Sequence, residues 1–352
     1  MSKLTINGVQ VVAEKGDTIH GAAKKAGIRI PTLCYLKGQK AQGACRICLV
    51  EVEGARGLMA ACSTPAVDGM IIDTNSEKVI AARKLVLELL LSEGEHDCIT
   101  CEANGDCKLQ TLCYEYGVSN TNITYKGEKS ERVFDDSSRF IVRDSSKCIL
   151  CNKCVLACNQ RGGHGILFKN ERGFNSKIVS DDCNLADSGC VLCGECVQIC
   201  PVGALYDKKS VGKGRSWDLK KTNTTCPYCG VGCQLTVHVD EKRNKPVKVT
   251  GRYTRPNEGM LCVKGRFAYD FPLSDKRIKS PMIKKDGKHV DVSWDEALDY
   301  AAGRLKEIVD KNGPDSYAGV TCARSTNENN YAGMKFARAA IGTNNVDHCA
   351  RT

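Results

Sequence analysis

Cysteine is the residue that most constrains how this chain can fold. The sequence has 23 cysteines among 352 residues, far more than packing needs. Residues 1–6 alternate like a strand and have no apolar signal-peptide core, so we expect a cytoplasmic protein. Thiols stay reduced in that compartment. Cysteines at short regular spacings are therefore expected to be metal ligands and not disulfides.

Length and composition indicate a multidomain globular chain without membrane insertion. At roughly 150 residues per domain, 352 residues make two or three domains, or more where metal replaces a core. Hydrophobic residues make up 42% and charged residues 26%, which is ordinary for a globular protein. The longest apolar stretch, residues 85–91, is interrupted by Glu88 and is far shorter than the roughly 18 residues that span a bilayer.

The first block of cysteines follows a predicted β-grasp domain, and together they span residues 1–78. Residues 3–6 and 9–13 predict a hairpin, and Asp17 or Thr18 can cap a following helix. Small residues around a central Cys-x2-Cys pair let backbone amides approach sulfur, which suits a [2Fe-2S] cluster. A four-cysteine zinc site is the alternative, but zinc prefers two paired knuckles. The expected ligands are Cys34, Cys45, Cys48 and Cys62.

The second block, predicted over residues 79–120, leaves its fourth ligand open. An amphipathic helix predicted over residues 78–92 precedes three ligands, Cys98, Cys101 and Cys107, whose spacing is typical of a metal site. We expect His96 to complete a [4Fe-4S] site, because an imidazole nitrogen can replace one thiolate on iron. Cys113, on a helix predicted over residues 109–116, is the rival ligand and otherwise a buried packing thiol.

The third block repeats one motif twice within residues 138–210. Cys-x2-Cys-x2-Cys-x3-Cys is the pattern of bacterial two-cluster ferredoxins, in which the fourth cysteine of each run binds the other cluster. Cys183 lies outside both runs and is expected to be a structural thiol. The two predicted [4Fe-4S] ligand sets are Cys148, Cys151, Cys154 and Cys200, and Cys190, Cys193, Cys196 and Cys158.

The fourth block, over residues 219–275, predicts one more [4Fe-4S] site. Its first three cysteines lie in Cys-Pro-Tyr-Cys-Gly-Val-Gly-Cys, where glycines allow close backbone approach. A zinc ribbon is the alternative, but it would need a second Cys-x2-Cys pair at the far end. The expected ligands are Cys226, Cys229, Cys233 and Cys262.

The last segment, residues 276–352, changes to an α/β pattern. A helix is predicted from Trp294 to about residue 310, a strand over residues 316–322 and a second helix over residues 331–341. Cys322 and Cys349 are expected to be core thiols. The predicted fold class is therefore α+β and multidomain, ending in the start of an α/β domain.

Net charge alone would suggest a nucleic-acid partner. The formal charge is +10 at pH 7. Five bound clusters, one [2Fe-2S] and four [4Fe-4S], would add about −9 through their thiolates. The loaded protein would be nearly neutral, so we expect no nucleic acid to bind.

The order of the blocks resembles a known family. It looks like the catalytic (alpha) subunit of cytoplasmic molybdenum- or tungsten-dependent formate dehydrogenases over the whole chain, including Cys262-Val263-Lys264-Gly265. In this view residues 276–352 start the molybdopterin oxidoreductase domain. The first 210 residues equally resemble [FeFe]-hydrogenases and the large iron–sulfur subunit of NADH:quinone oxidoreductase. The fourth block and the tail are expected to separate these possibilities.

The resemblance implies an activity and partners. The full-length enzyme would interconvert formate and CO2 at a molybdenum or tungsten bis(molybdopterin guanine dinucleotide), with Lys264 between the last cubane and this cofactor. Electrons would enter at the fourth block, pass the ferredoxin pair and leave through the first two blocks. The acceptor would be a flavin/NAD-type or ferredoxin-linked subunit, or a hydrogenase. No catalytic residue is expected in this chain. A stand-alone electron-transfer subunit serving a hydrogenase or an NADH dehydrogenase-type complex is the alternative.

Two details bear on the resemblance. The family usually has its cluster histidine four residues before the first cysteine, where Gly94 stands here, whereas His96 is two residues before Cys98. Residues 344–352 resemble the run just before a metal-binding cysteine or selenocysteine. We therefore expect that the chain ends where a UGA selenocysteine codon was read as a stop, with a deliberate fragment as the alternative.

Overall fold

A computed structural model describes residues 1–125, 127, 133–181 and 183–349; residues 350–352 of the run just named lie outside them. The helices described are α1 Ile19–Lys25, α2 Glu77–Glu93, α3 Lys108–Tyr116, α4 Lys153–Leu156, α5 Glu195–Ile199, α6 Val263–Phe267, α7 Trp294–Asn312 and α8 Asn327–Lys335. The strands described are β1 Ser2–Ile6, β2 Val9–Ala13, β3 Leu49–Val52, β4 Met59–Ala60, β5 Ile71–Asp73, β6 Phe134–Asp135, β7 Ile141–Asp144, β8 Leu167–Asn170, β9 Lys177–Ser180, β10 Leu205–Asp207, β11 Lys220–Thr225, β12 Gln234–Asp240, β13 Lys245–Gly251, β14 Met282–Lys285, β15 Lys288–Asp291, β16 Gly319–Thr321 and β17 Val346–His348.

The N-terminal region is a mixed five-stranded sheet with one helix. The strand order is β2-β1-β5-β3-β4, with β1 antiparallel to β2 and parallel to β5. The pairing of β1 with β2 confirms the predicted hairpin. Thr18 caps α1 by accepting a hydrogen bond from the Gly21 N–H, which confirms the predicted helix start. Leu4, Ile6 and Ile19 are buried between helix and sheet. Hairpin, helix and parallel return strand are the elements of the β-grasp expectation.

Helices α2 and α3 fix the second block against the first. The helix predicted over residues 78–92 is confirmed as α2, although its amphipathic pattern is weak, and its Leu87 shares a core with Leu33 and Ile47 of the first block. Arg83 of α2 is buried and donates hydrogen bonds to the Ile47 carbonyl at 3.1 Å and the Tyr116 hydroxyl at 2.9 Å. A buried guanidinium is stable only with such partners, so Arg83 joins the two blocks rigidly.

The third block folds as short helices packed on small sheets. Strands β10, β7 and β6 form one sheet, and β8 and β9 form a hairpin. The sheet begins at Phe134, N-terminal of the boundary predicted at residue 138, because β6 pairs with β7. The buried ion pair of Asp135 and Arg143, 3.1 Å apart, secures that pairing.

The fourth block and the tail complete the chain. Strands β11, β12 and β13 form an antiparallel sheet that precedes α6. In the tail β16 pairs in parallel with β17, with α8 between them in sequence, and Ser293 caps α7. This is the predicted α/β start. Within the described ranges, no helix combines the length and apolar character needed to cross a bilayer.

Candidate iron–sulfur centres

The four thiols of the first block lie in contact with one another. Cys34 shares hydrogen bonds with Cys45 and Cys62, and Cys48 shares one with Cys62. These bonds hold the pKa of Cys34 well below its usual range and raise the pKa of Cys45 and of Cys62. The backbone N–H groups of Ala44 and Cys45 also donate to the Cys34 sulfur, as the small residues predict. Four thiols buried in contact can all ionise only where a metal takes up their charge.

The second block gathers around one cavity. Cys113 is absent from its lining, and is buried on α3 against Leu109 and Leu112. Burial, with the charges of Cys107 and Cys98 in range, raises the pKa of the Cys113 thiol to about 12. The residues that line the cavity include His96, Cys98, Cys101, Cys107, Lys147, Val202 and Gly203.

The ring of His96 occupies the space that a side chain at position 94 would need. A Cβ added to Gly94 would collide with Nε2 of the His96 ring. The glycine thus makes room for a histidine placed two residues later. His96 Nε2 lies 3.0 Å from the Leu90 carbonyl oxygen. Because a carbonyl can only accept, Nε2 carries the proton there and Nδ1 is the nitrogen with a lone pair for a metal.

The third block divides into the two crossed groups that the ferredoxin pattern predicts. Burial, with the charges of Cys200 and Cys148 close by, raises the pKa of Cys151 to about 12. Burial also raises the pKa of Cys196, and there the neighbouring charges belong to Cys193, Cys190 and Cys158. The last cysteine of each run thus faces the first three of the other run.

The two runs also repeat their backbone conformation. Leu150 and Leu192, which precede the second cysteine of each run, are left-handed with φ of 51° and 56°. The N–H of Leu150 donates to Cys148 Sγ and the N–H of Leu192 to Cys190 Sγ, both at 3.4 Å. This turn aims a backbone donor at sulfur, where it stabilises a thiolate. The duplicated motif therefore yields a duplicated ligand loop.

Lys153 lies where the first and third blocks meet. It sits between two ligand cysteines of the third block in sequence, is only 5% exposed, and borders a groove with Tyr35 and Ile199. Burial lowers the pKa of Lys153, as does the charge of Lys108, whereas the charges of Cys151, Cys200 and Cys34 oppose this shift. Its ammonium group is therefore within electrostatic range of two ligand sets. We did not single out Lys153 from the sequence; its position inside the motif was the available signal.

The fourth block places its cysteines at the edge of the molecule. Cys229 and Cys262 are exposed, and Cys226 is buried against Gly265, whose added Cβ would lie 3.4 Å from the Cys226 sulfur. Burial raises the pKa of Cys226, with the charges of Cys262 and Cys229 in range. Lys264 is exposed in the first turn of α6, next to Cys262. The predicted ligands are thus neighbours, and Lys264 adjoins them.

Arg266 was also missed from the sequence, although it stands two residues after Lys264. It is 2% exposed, and its Nε donates to the Cys193 carbonyl at 2.8 Å. A Cβ on Gly194, a left-handed residue, would collide with this side chain. The only sequence signal was an arginine directly after the Cys-Val-Lys-Gly run. Helix α6 of the fourth block is therefore docked on a ligand loop of the third.

The donor chemistry fits clusters better than single ions. Within residues 1–125, 127, 133–181 and 183–349, no three His, Cys, Asp or Glu side chains converge as one metal ion requires. The candidate ligands nevertheless form groups of four, one of them with three cysteines and a histidine, and cluster ligands bind separate irons, so they need not converge on a point. Soft thiolates are also the ligands that iron–sulfur clusters select. The residues present fit the clusters that the spacing predicts.

The two tail cysteines differ from expectation. We expected core thiols, but Cys349 is exposed and Cys322 is partly exposed. Their sulfur atoms lie 3.5 Å apart. Cys183, expected to be structural, points its thiol at the Ser180 carbonyl at 3.3 Å.

Five family models match the chain in the order of the blocks. A 2Fe-2S iron-sulfur cluster binding domain matches residues 1–77, and the NADH-ubiquinone oxidoreductase-G iron-sulfur binding region matches residues 83–122. A 4Fe-4S dicluster domain matches residues 147–204. The molybdopterin oxidoreductase Fe4S4 domain matches residues 219–273, and molybdopterin oxidoreductase matches residues 277–352.

Relatives with different names match nearly the whole chain. NADPH-Fe(3+) oxidoreductase subunit alpha of Geobacter sulfurreducens is 39% identical and an NADH-quinone oxidoreductase subunit of Rhizobium meliloti is 38% identical, each over 100% of this chain and 40% of the relative. A Staphylococcus aureus protein named "Putative formate dehydrogenase" is 30% identical over 99% of this chain and 39% of the relative. The chain thus spans about 40% of the length of these relatives.

A solved structure matches part of the chain. A chain of the NAD+-reducing [NiFe]-hydrogenase in the H2-reduced state has a TM-score of 0.56 and 32% identity, over 60% of this chain and 90% of that chain. The family models together show iron–sulfur domains followed by the start of a molybdopterin oxidoreductase domain in this chain. The expectation that the fourth block and tail exclude NADH-quinone oxidoreductase subunits is wrong, because the Rhizobium meliloti relative of that name matches over both.

Proposed function

We propose that this chain conducts electrons between a molybdopterin-type centre and a partner protein, along one [2Fe-2S] and four [4Fe-4S] clusters. Bound clusters would supply one-electron transfer, and the chain's residues would fix their positions and surroundings. The proposed ligands are the five sets named above: Cys34, Cys45, Cys48 and Cys62; His96, Cys98, Cys101 and Cys107; Cys148, Cys151, Cys154 and Cys200; Cys190, Cys193, Cys196 and Cys158; and Cys226, Cys229, Cys233 and Cys262.

The observation that carries this proposal is a series of contacts and electrostatic interactions that links the five ligand sets. Arg266 joins the fourth block to Cys193. The buried Cys154 is within range of the charge of Cys196, which links the two crossed groups. The group of Cys148, Cys151, Cys154 and Cys200 then lies near both remaining blocks. Gly203 packs against the Cys101 sulfur of the second block, and Lys153 is in range of Cys34 of the first.

His96 is the proposed fourth ligand of the second cluster. Its ring lines the same cavity as the three cysteines, and the Leu90 carbonyl orients it. A ligating imidazole normally donates its other N–H to such a carbonyl. Cys113 is the weaker candidate, because its thiol packs among the leucines of α3.

Lys264 and the tail are proposed to face the pterin cofactor. Lys264 is exposed directly beside Cys262 at the edge of the fourth block. A bis(molybdopterin guanine dinucleotide) carries phosphate groups and a metal, molybdenum or tungsten, that exchanges electrons. A flexible ammonium at this point would attract the phosphates by charge.

The cytoplasm stays the predicted location of the protein.

Formate is the first substrate that we propose for the full-length enzyme. The block order supports it, as does the 30% identity to the named formate dehydrogenase. A nicotinamide-linked function without formate is the second candidate. It is favoured by the higher identities, 39% and 38%, to the NADPH-Fe(3+) and NADH-quinone oxidoreductase subunits. In both cases a flavin/NAD-type or ferredoxin-linked subunit, or a hydrogenase, would exchange electrons with the first two blocks.

A basic groove supports an electron partner with an acidic face. It measures about 870 Å³ and runs beside Tyr35, the residue after Cys34. Glu258 is the one carboxylate in the lining that the described residues provide. Such a field draws an acidic carrier toward the [2Fe-2S] site and orients it. The basic lining residues are Lys24, Arg29, Lys37, Lys108, Lys153 and Arg161.

The test uses the full-length enzyme with its partner subunits, purified anaerobically from cells given molybdate or tungstate. Formate and NADPH are added separately, and cluster reduction is followed by electron paramagnetic resonance. We expect formate to reduce the clusters. Reduction by NADPH alone would replace the formate proposal by the nicotinamide one. Absence of iron–sulfur signals after chemical reduction would reject both.

A further inference from the structure

Two cysteines of the tail are brought together by strand pairing. Strands β16 and β17 run parallel, with Thr321 opposite His348 in register. Cys322 and Cys349 directly follow the last residues of the two strands, and their sulfur atoms lie 3.5 Å apart. Neighbouring strands lie about 4.8 Å apart, so residues opposite each other across the pair have Cα atoms within the roughly 4.4–6.8 Å that disulfides span. A small side-chain movement would therefore bring the sulfurs to bonding distance.

The surrounding backbone stabilises a thiolate at this point. The Arg324 N–H donates to Cys322 Sγ at 3.4 Å. A hydrogen bond from the Ala323 backbone, a second from the Cys322 thiol and the charge of Arg324 lower the pKa of Cys349. The thiolate is the form that attacks a disulfide, so Cys349 is the residue prepared for the first step.

Neither cysteine is needed by the proposed clusters. The five ligand sets use nineteen other cysteines, and the remaining two, Cys113 and Cys183, lie elsewhere in the fold. The pair does adjoin a cluster site, because the Ala323 carbonyl oxygen would lie 3.5 Å from a Cβ added to Gly230, next to Cys229. A change in the bond between Cys322 and Cys349 would thus act beside the fourth block.

We infer that Cys322 and Cys349 are a redox-active dithiol that closes to a disulfide by exchange with small-molecule disulfides. The Cys349 thiolate attacks one sulfur of the disulfide RSSR, forming a mixed disulfide and releasing RS⁻. Cys322 then loses its proton to solvent and attacks the Cys349 sulfur, releasing a second RS⁻. The two protein thiols are oxidised by two electrons, and RSSR is reduced to two thiols. Cytosolic disulfides of this kind are usually transient and redox-sensing.

The test incubates the cluster-loaded chain anaerobically with oxidised glutathione, blocks remaining thiols with iodoacetamide and maps tryptic peptides by mass spectrometry. Peptides 312–324 and 339–351 carry the two cysteines. We expect them to be found joined, and separate again after dithiothreitol. In Cys322→Ser, Cys349 should instead retain glutathione, and in Cys349→Ser no joined peptide should form.

Two results would overturn the inference. One is alkylation of both cysteines in the oxidised wild-type chain. The other is glutathione on each cysteine with no joined peptide. Electron paramagnetic resonance of both serine variants, which should retain every cluster signal, checks that the substitutions leave the fold intact.

Discussion

The guanidinium of Arg266 lies 3.2 Å from the carboxylate of Glu195, and each side chain is only 3% exposed. Arg161 lies 2.9 Å from the other carboxylate oxygen, within ion-pair distance but not aligned as a hydrogen-bond donor. Arg266 belongs to the helix that follows Cys262, and Glu195 lies between Cys193 and Cys196. This buried pair therefore holds two proposed cluster sites at a fixed separation.

Replacing Arg266 should destabilise the junction strongly. Arg266→Met leaves Glu195 with one partner in a dry site, and breaking a buried pair costs about 3–5 kcal/mol. Arg304→Met is the matched control, because its Glu307 partner is exposed and such pairs contribute at most about 1 kcal/mol. Thermal unfolding of the loaded chain should show a large decrease for Arg266→Met and little change for Arg304→Met. Equal shifts would contradict a structural role for this pair.

The ligand of the second cluster can be tested by paired substitutions. His96→Ala should alter or abolish the electron paramagnetic resonance signal of one cluster, because it removes the proposed nitrogen ligand. Cys113→Ser should leave all signals in place, since its thiol packs among apolar side chains. Gly94→Ala should alter the same signal to a smaller extent than His96→Ala, because the new methyl group displaces the His96 ring. The opposite pattern for His96 and Cys113 would assign the site to Cys113.

Crossed ligation in the third block predicts which double substitutions are additive. Cys158→Ser should release about four irons, the content of one cubane. Adding Cys190→Ser should release no more, because both residues serve the same cluster. Adding Cys148→Ser should release about four further irons. Iron analysis after gel filtration reads this out, and additive loss from Cys158 and Cys190 would reject the crossing.

Lys153 should raise the reduction potentials of two clusters. A reduced cluster is more negative, and a buried ammonium nearby favours it. Lys153→Met should therefore lower the midpoint potentials of the [2Fe-2S] cluster and of the cubane held by Cys151 and Cys200. Lys37→Met, an exposed position of the same groove, is the control and should change neither. Redox titration followed by electron paramagnetic resonance measures both, and unchanged potentials in Lys153→Met would exclude the electrostatic role.

The sequence predicts local features well where a short pattern determines them. The hairpin before α1, the start of that helix and helix α2 all follow from propensity and periodicity. The grouping of Cys200 with Cys151 also follows from the ferredoxin pattern.

Contacts between distant segments were beyond such patterns. Arg266 meets Glu195 across 71 residues, and nothing in either local sequence announces the partner. The proximity of Cys322 to Cys349 depends on the parallel pairing of β16 and β17, which the sequence indicated only as the opening of an α/β sheet. The position of Lys153 beside the first block depends on how the first and third blocks pack, which its local sequence does not indicate.

Metal content of the anaerobically purified chain tests the central claim most directly. One [2Fe-2S] and four [4Fe-4S] clusters require about 18 irons and an equal amount of acid-labile sulfide per chain. Iron chelation should then unfold much of residues 138–210, because ligation supplies part of their folding free energy. About 18 irons with matching sulfide is the result predicted here, and stoichiometric zinc with little iron would contradict it.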